Sequence, residues 1–487
     1  MSLAAKPYDP AAKPRARRFP HPPAPPRIAE TADSAPEEED VVVNAEARIE
    51  RPLAERPVLI GTEAYISADY ARAEADRLWS KVWQVACREE EIEQVGDFVT
   101  YDILDESIIV IRAAEGRIRA YHNQCRHRGR QLTEGCGNKK RLVCPFHAWS
   151  WNLEGENIGT VRGEAWGDAL KSEDIPLKQV RVDSWGGWVF INMDPDCEPL
   201  RDYLEPAATM LDPFELQNMR YRWRQWLHFP SNWKVAIEAF NEGYHVAGTH
   251  PQLTKFSAKP TWSDAKGRHG VFGAAAREGS GGATAGASGA ADMRIGLRHS
   301  LNQLWEEVNA TTTETMVKVA NLLEEELPEG TPAQEVQMHL MKRTIEEDAK
   351  RGVTWPRIDP AHFAAAGNVW HIFPNTVIIH GPTFALCYRA RPDGDDPDRC
   401  IFEVYTLEKY PEGGEPRPEN LYRPEMTEAN WRKVLCQDFS NMGAVQKGLK
   451  SKHFDGMRPS PEEERAIVNF HRVLAEYMGT GAPQPLD

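Results

Sequence analysis

The sequence predicts an α+β protein in which a small antiparallel β domain precedes a larger domain built from an antiparallel sheet and helices. Short β-branched or aromatic segments separated by Gly and acidic turns occur between residues 98 and 192, a pattern typical of small hairpins. Strand-like segments at 375–389 and 400–410 follow amphipathic helical stretches at 301–327 and 332–350. With 487 residues, the chain can form two domains of ordinary size.

Changes in composition predict where the segments begin and end. A disordered proline-rich tail covers 1–55, and an N-terminal helix that packs on the large domain covers 56–79. The small β domain covers 80–193, and the large domain covers 194–487. Helical periodicity runs from Tyr65 to Val85, and residues 194–206 indicate a linker. The stretch 273–292 is dominated by Gly, Ala and Ser, so we predict a mobile loop there.

Charge and hydropathy exclude several classes of protein. The net charge of −15 argues against a nucleic-acid-binding surface. The longest apolar runs, such as 375–386, are shorter than the roughly 20 residues of a membrane span. The first residues contain an Arg pair but no apolar region after it, so we predict a cytoplasmic protein without a signal peptide. The eight cysteines are scattered, which favours a reducing compartment and a metal site over a disulfide framework.

The most specific motif pairs cysteine with histidine twice. Cys125-Arg-His127 is followed after 16 residues by Cys144-Pro-Phe-His147. Thiolate and imidazole are ligands for iron or zinc, so the motif predicts a bound metal. A structural zinc site is the alternative, but zinc fingers usually place two Cys before two His.

A second group of candidate metal ligands lies in the stretch that starts at residue 232. On a continuous α-helix, Glu238, Glu242 and His245 would share one face, because they are spaced i, i+4 and i+7. His250 would point elsewhere unless the helix loosens near Gly248. Read by itself, the pattern also suits an ordinary solvated helix face with a nearby histidine.

Together these motifs resemble the large (alpha) subunit of the Rieske non-haem iron oxygenases, the aromatic-ring-hydroxylating dioxygenase family. Arg128-Gly129 and Ala148-Trp149 resemble the usual flanks of the two Rieske loops, and Asn232-Trp233-Lys234 resembles the opening of the iron-binding segment. The resemblance implies a Rieske domain at 80–193 and a helix-grip-like catalytic domain at 194–487.

The resemblance also assigns ligands. It implies that a [2Fe-2S] cluster is held by the four motif residues, Cys125, His127, Cys144 and His147. A mononuclear Fe(II) would be held by His245, His250 and Asp438, where Asp438 belongs to a helical stretch that starts near Trp431. Glu242 stands where the ring-dihydroxylating enzymes usually have Asp, and in the family that residue connects a cluster histidine of one subunit to an iron histidine of its neighbour.

The implied function is that of a terminal oxygenase. Electrons from NAD(P)H, delivered by a reductase and in some systems a ferredoxin, would allow O₂ to hydroxylate an apolar aromatic substrate, with cis-dihydroxylation as our main prediction. The alternatives are a Rieske monooxygenase or O- or N-demethylase, and a non-catalytic electron-transfer protein. A homotrimer, or a hexamer with small beta subunits, is implied. We predict that the substrate pocket is lined by the apolar strands at 369–386 and 401–407.

Overall fold

Two large β-sheets, one of seven and one of eight strands, form the framework of the described structure. The computed structural model describes residues 56–254, 261–274 and 292–486. The predicted tail at 1–55 and most of the predicted loop at 273–292 lie outside the described residues. Within them, no helix is long and apolar enough to span a membrane.

The first half of the chain forms a seven-stranded sheet and a three-stranded sheet. Its strands are β1 Val58–Leu59, β2 Gln84–Arg88, β3 Asp97–Ile103, β4 Glu106–Ala114, β5 Arg117–His122, β6 Cys136–Asn138, β7 Leu142–Val143, β8 Ser150–Trp151, β9 Asn157–Gly159, β10 Gln179–Trp185 and β11 Trp188–Asn192. The larger sheet has the order β2-β11-β10-β5-β4-β3-β6, and the smaller one has the order β7-β8-β9. The hairpins predicted between residues 98 and 192 are therefore present.

Strand β4 shows why this sheet holds its position. Ile108 and Val110 belong to the large core of the protein, whereas Ile109 and Ile111 belong to a second core. Successive side chains on a strand point to opposite faces, so one four-residue apolar run serves both cores. The second core also contains Cys125 and Cys144, and it therefore supports the two motif loops from below.

The second half of the chain adds an eight-stranded sheet. The remaining strands are β12 Arg220–Phe229, β13 Thr261–Lys266, β14 His269–Ala274, β15 Val369–Ile372, β16 Thr376–His380, β17 Phe384–Pro392, β18 Cys400–Glu408, β19 Asn420–Tyr422 and β20 Gln484–Pro485. The sheet order is β13-β14-β15-β16-β17-β18-β12-β19, and β20 pairs with β1. All neighbours are antiparallel except β12 and β19.

The α-helices lie mainly around this second sheet. They are α1 Glu63–Ile66, α2 Ala68–Glu74, α3 Leu200–Leu204, α4 Ala207–Leu211, α5 Trp233–Glu238, α6 Val246–Thr249, α7 Pro251–Thr254, α8 Met293–Glu307, α9 Glu314–Ala320, α10 Leu323–Glu326, α11 Ala333–Lys350, α12 Pro360–Ala365, α13 Glu428–Leu449 and α14 Arg465–Met478. Helix α5 packs on one face of the sheet, where Phe240 stacks on Tyr388 with ring centroids 3.8 Å apart. The opposite face meets the first sheet, and Trp188 Nε1 donates to Tyr405 Oη at 2.8 Å.

Three predicted elements have different limits in the structure. The predicted helix at 301–327 is divided into the end of α8, α9 and α10, because Asn309 and Thr311 adopt positive φ and Thr313 then caps α9. The strand predicted at 375–389 is two strands, since the chain turns at 381–383 between β16 and β17. Residues 194–206, predicted as a linker, contain α3.

The predicted N-terminal helix is also segmented. Periodicity suggested a helix from Tyr65 to Val85, but the structure has α1, then α2, then a π-helical turn that ends at Trp79. Ser67 separates the two α-helices, and its side chain accepts a hydrogen bond from Tyr70 N. Such a cap starts a new helix rather than continuing the old one.

Candidate metal centres and the cavity beside them

The two Cys-His loops have the same backbone geometry. Cys125 N donates to Arg130 O and Cys144 N donates to Trp149 O, both at 2.8 Å. In each loop the fourth residue after the cysteine, Gly129 or Ala148, has positive φ and donates to the cysteine carbonyl at 2.9 Å. Left-handed backbone suits Gly and is uncommon for Ala, so the second loop accepts a conformational cost to match the first.

The loops bring four metal-binding side chains to one place. His127 and His147 face each other with their Nδ1 atoms 3.2 Å apart, and His127 stacks on Trp149. Cys125 and Cys144 are buried beneath them. Burial raises the pKa of the Cys125 thiol, and the neighbouring Cys144 adds to the increase. A buried thiolate pair needs a cation to stabilise it, so this donor set fits an iron-sulfur cluster with the imidazoles on its outer side.

The outer rim of the loops is basic and partly apolar. Arg126, Arg128 and Arg130 are exposed. Phe146 retains 56% of its surface, and the Arg128 guanidinium lies 5.4 Å from the centre of its ring. We refer to these four residues as the arginine rim.

The second predicted site is assembled from two distant segments. Helix α5 begins with Asn232, whose side chain accepts from Lys234 N at 3.0 Å, and it ends at Glu238. The chain then turns, and α6 runs from Val246 to Thr249. The prediction of one continuous helix carrying Glu238, Glu242 and His245 is wrong, because α5 ends before Glu242. Helix α6 ends at Thr249, close to the predicted loosening near Gly248, and His250 follows it directly and lies beside Asp438.

His245, His250 and Asp438 lie close enough to share one metal ion. One ligand atom from each residue lies within 4.8 Å of the others. Asp438 Oδ1 lies 2.8 Å from His250 Nε2 and 3.7 Å from His245 Nε2. Two imidazoles and one carboxylate on one side of a site match the facial arrangement that non-haem Fe(II) uses.

The hydrogen bonds on the far side of each imidazole support this reading. His245 Nδ1 lies 2.5 Å from Glu242 Oε1, and His250 Nδ1 lies 2.9 Å from Gln437 Oε1. With Nδ1–H donating to these oxygens, each Nε2 keeps its lone pair for a metal. The residues present therefore fit a mononuclear iron, and Glu242 is the carboxylate that orients His245.

A cavity of about 260 Å³ opens beside the triad. His245 and Asp438 line it together with three further carboxylates, Glu238, Glu242 and Glu464, whereas Arg458 is the one Lys or Arg side chain in the lining. The other walls are mostly apolar, with Val235, Ala239, Met442, Val445, Met457, Pro459 and Ile467. We predicted that strands at 369–386 and 401–407 would line the pocket, but this cavity lies between α5, α13 and residues 457–467.

Two of these carboxylates have unusual surroundings. Burial raises the pKa of Glu464 to about 7, and the nearby Glu242 and Glu238 add to the increase. Glu238 is held by Tyr65 Oη at 2.9 Å and by His471 Nε2 at 2.7 Å. Glu238, Tyr65 and His471 are each at most 7% exposed. The sequence analysis did not predict that Tyr65, His471 and Glu464 lie near the triad, because they belong to no motif and are not neighbours of the triad histidines in the sequence.

Comparison with known proteins gives two family matches. Residues 82–164 match the Rieske [2Fe-2S] domain, and residues 216–480 match the catalytic domain of the ring-hydroxylating alpha subunit. The cluster motif lies within the first match, and the triad lies within the second.

Individual relatives include both monooxygenases and dioxygenases. The glycine betaine monooxygenase oxygenase subunit of Pseudomonas aeruginosa is 33% identical over 37% of this chain and 41% of its own length. The biphenyl 2,3-dioxygenase alpha subunit of Rhodococcus jostii is 31% identical over 43% of this chain and 47% of its own length. The matches thus span less than half of each of these relatives.

A solved structure extends the likeness of fold to most of the chain. The crystal structure of a quaternary ammonium Rieske monooxygenase in complex with L-carnitine superposes with a TM-score of 0.59 over 87% of this chain and 97% of the other. Sequence identity is 19%, so the likeness concerns the fold alone.

Proposed function

The chain belongs to the family of ring-hydroxylating alpha subunits, with a Rieske [2Fe-2S] domain before the catalytic domain, and we propose that it is the terminal oxygenase of a Rieske monooxygenase system. The predicted family, α+β fold class and pair of iron cofactors are confirmed at this level. The observation that carries the proposal is the juxtaposition of His245, His250 and Asp438 in a chain that also holds the Cys₂His₂ loops. It argues against a non-catalytic electron carrier, which needs no such triad.

We assign the cluster to Cys125, His127, Cys144 and His147, and the mononuclear iron to the triad. When bound, the iron supplies the site at which O₂ is activated, because the three ligands leave adjacent positions open. The role of the chain is to hold and orient these groups. Glu242 fixes the ring of His245 and Gln437 fixes that of His250. We retain the division at 80–193 and 194–487 as a proposal, supported by the two separate sheets.

We propose that electrons cross between subunits of a homo-oligomer, with a trimer as the smallest closed ring, as the family resemblance implies. The support is electrostatic. The arginine rim surrounds the cluster histidines, whereas the cavity beside the triad carries Glu238, Glu242 and Glu464. Opposite charges in two different regions of one chain, the exposed arginine rim and the acidic cavity, favour a head-to-tail contact. Glu242, which already contacts His245, would then accept a hydrogen bond from a cluster histidine of the partner. The reductase would supply electrons to the cluster.

For the substrate we propose a quaternary ammonium compound rather than the aromatic ring of our main prediction. A cavity with several carboxylates and apolar walls suits an organic cation, since the carboxylates balance its charge and the apolar groups contact its methyl groups. The relatives named for glycine betaine and L-carnitine agree with this choice. Hydroxylation of a carbon bonded to nitrogen gives a carbinolamine, which collapses to a carbonyl compound and an amine.

The second candidate is cis-dihydroxylation of an aromatic ring. It is favoured by the apolar part of the cavity and by the match to the biphenyl dioxygenase alpha subunit. The two reactions differ in oxygen balance, because the monooxygenase inserts one atom of O₂ and the dioxygenase inserts both.

Product analysis separates these candidates. The holoprotein, with a reductase and NADH, would be supplied with glycine betaine, L-carnitine, biphenyl or naphthalene under ¹⁸O₂. We expect one amine released for each O₂ consumed with a quaternary ammonium substrate, and no diol. A diol that carries two ¹⁸O atoms from an aromatic substrate would refute the monooxygenase proposal. We also propose a cytoplasmic location, which the eight unpaired cysteines support.

A further inference from the structure

A second cavity, remote from the chemistry described above, lies between the two large sheets. It has a volume of about 160 Å³ and is lined by residues of β2 and β3 on one side and of β12, β17 and β18 on the other. This is many times the roughly 15 Å³ that a single water molecule requires. Three arginines, Arg224, Arg389 and Arg391, line the cavity together with two carboxylates, Glu91 and Glu403.

Two of the arginines have a carboxylate of their own. Arg224 Nη1 is paired with Glu91. Arg389 contacts Glu403 Oε2 through Nε at 2.8 Å and through Nη2 at 2.6 Å. Burial raises the pKa of Glu403, but Arg389 and Arg391 outweigh this effect and the net direction is downward. Glu403 is therefore ionised, and these two ion pairs are electrically neutral.

Arg391 is the cation left over. Its Nη1 donates to the backbone carbonyl of Asp102 at 2.5 Å, and its Nε lies 3.9 Å from the oxygen of Glu403 that Arg389 already occupies. The ring centre of Tyr101 lies 5.5 Å from the Arg391 guanidinium and 5.8 Å from that of Arg389, so the ring helps to hold both in place. Among its lining residues, the cavity thus has one more arginine than carboxylates.

The cavity also has unused hydrogen-bond donors. The Nε atoms of Arg224 and Arg391 are buried, and neither has a hydrogen-bond partner among the described residues. Buried donors without partners cost free energy, and each one calls for an explanation such as a bound ion or water. An excess positive charge beside two free N–H groups is best satisfied by an anion with two or more oxygens, because guanidinium groups bind carboxylate and phosphate through paired N–H donors.

We propose that this cavity binds a small oxyanion, a phosphate or a single carboxylate, and that the anion joins the Rieske-domain sheet to the catalytic sheet. Arg224 and Arg391 of the catalytic sheet and Tyr101 of β3 all line the cavity, so an anion bound there lies at the junction of the two sheets. Ligands that bind only the folded protein stabilise it by mass action. The anion is therefore a stabilising ligand of the junction between the two domains.

The test uses calorimetric titration and thermal unfolding of the holoprotein with inorganic phosphate or with acetate, at constant ionic strength set by NaCl. The expected result is saturable binding of at least one of these anions, with one site per chain and a rise in Tm. Phosphate alone would identify a tetrahedral oxyanion, and equal binding of acetate would identify a carboxylate. Absence of saturable binding by both anions would overturn the proposal.

Two variants locate the site. Arg391→Gln should weaken binding at least tenfold. The control Arg399→Gln removes an arginine that precedes β18 and pairs with Asp393 at 2.7 Å, and it should leave binding unchanged. If Arg391→Gln fails to fold, Arg391→Lys keeps the charge but lacks the Nε donor, and it should bind more weakly than wild type. Binding by the Arg391 variants equal to that of wild type would place the anion elsewhere and overturn the assignment.

Discussion

The cluster loops and the iron triad are built in opposite ways. All four proposed cluster ligands lie within residues 125–147, in two short loops with the same backbone geometry. The triad joins His245 and His250, which flank α6, to Asp438 of α13, and 188 positions separate His250 from Asp438. A local site can persist when distant contacts weaken, whereas the triad depends on the packing of the whole catalytic domain.

Charge separates the two regions as well. The surface around the cluster histidines is basic, and the cavity beside the triad is acidic. Helix α5, which precedes the triad histidines, is fixed by buried polar contacts of its own. Glu74 pairs with Lys234, and Tyr65 and His471 contact Glu238. Perturbing one region should therefore leave the other intact, and the following variants test this independence.

The largest effect is expected from His245→Ala. The variant removes one proposed iron ligand and leaves the two Cys-His loops unaltered. Turnover should therefore fall to background, while the visible spectrum of the cluster is unchanged. Iron analysis should show about two irons per chain instead of about three, with about two labile sulfides in both proteins. Full turnover by the variant would exclude His245 as an iron ligand.

Lys234→Met tests how much a buried ion pair of α5 contributes to the free energy of unfolding of the protein that carries the triad. Lys234 is completely buried and its Nζ lies 2.5 Å from Glu74 Oε1. Removing one partner leaves the other charge buried and unpaired, which should cost about 3–5 kcal/mol in the free energy of unfolding. Denaturant unfolding measures this loss. The double variant Lys234→Met with Glu74→Leu should recover most of it, and a double variant as unstable as the single one would contradict the explanation.

Glu242→Gln separates electron transfer from metal binding. The amide keeps the shape but loses the charge that orients His245 and, in our proposal, connects it to the partner subunit. Second-sphere substitutions of this kind typically cost about 10–100-fold, and we expect that loss in the rate of cluster reoxidation during a single turnover. Both metals should remain bound. An unchanged rate would remove Glu242 from the electron path.

The acidic cavity should bind cations in a pH-dependent way. The pKa of Glu464 is raised to about 7 by burial, above its ordinary value of 4.5. A raised folded pKa means that Glu464 contributes stability that is complete below pH 4.5 and is lost as pH rises through about 7. Its ionisation over the same range should strengthen binding of a quaternary ammonium ligand by roughly 2- to 5-fold.

Titrations of glycine betaine binding between pH 6 and 8 measure this effect. The control Glu464→Gln should show a flat profile and a smaller decline of Tm between pH 5 and 8. A pH profile that is identical in the variant and in wild type would show that another group is responsible.

The contrast between a local and a distributed site also explains which residues could be predicted from the sequence. The proposed cluster ligands could be predicted because their spacing is local and their chemistry is specific. Asp438 could be proposed only through a family resemblance, since nothing in its own surroundings points to residues 245 and 250. Glu242 was placed correctly beside His245, but not on a continuous helix, since α5 ends at Glu238 and residues 239–242 contain no Gly or Pro that would predict this break.

Two further features follow the same contrast. The pocket predicted on the strands of the second sheet stays a prediction, since those strands are largely buried and the cavity beside the triad lies next to α5, where carboxylates meet. Composition alone does not reveal that Glu238, Glu242 and Glu464 converge. Boundaries within 301–327 were missed because the positive φ at Asn309 and Thr311 belongs to residues other than Gly.

The most direct test of the account is a single turnover of fully reduced holoprotein, mixed with O₂ and a quaternary ammonium substrate, in which cluster reoxidation and amine release are followed together. We expect the cluster to be reoxidised as roughly one amine forms per mononuclear iron, and we expect His245→Ala to form none. Amine formation without His245, or complete cluster oxidation in wild type without any substrate product, would contradict it.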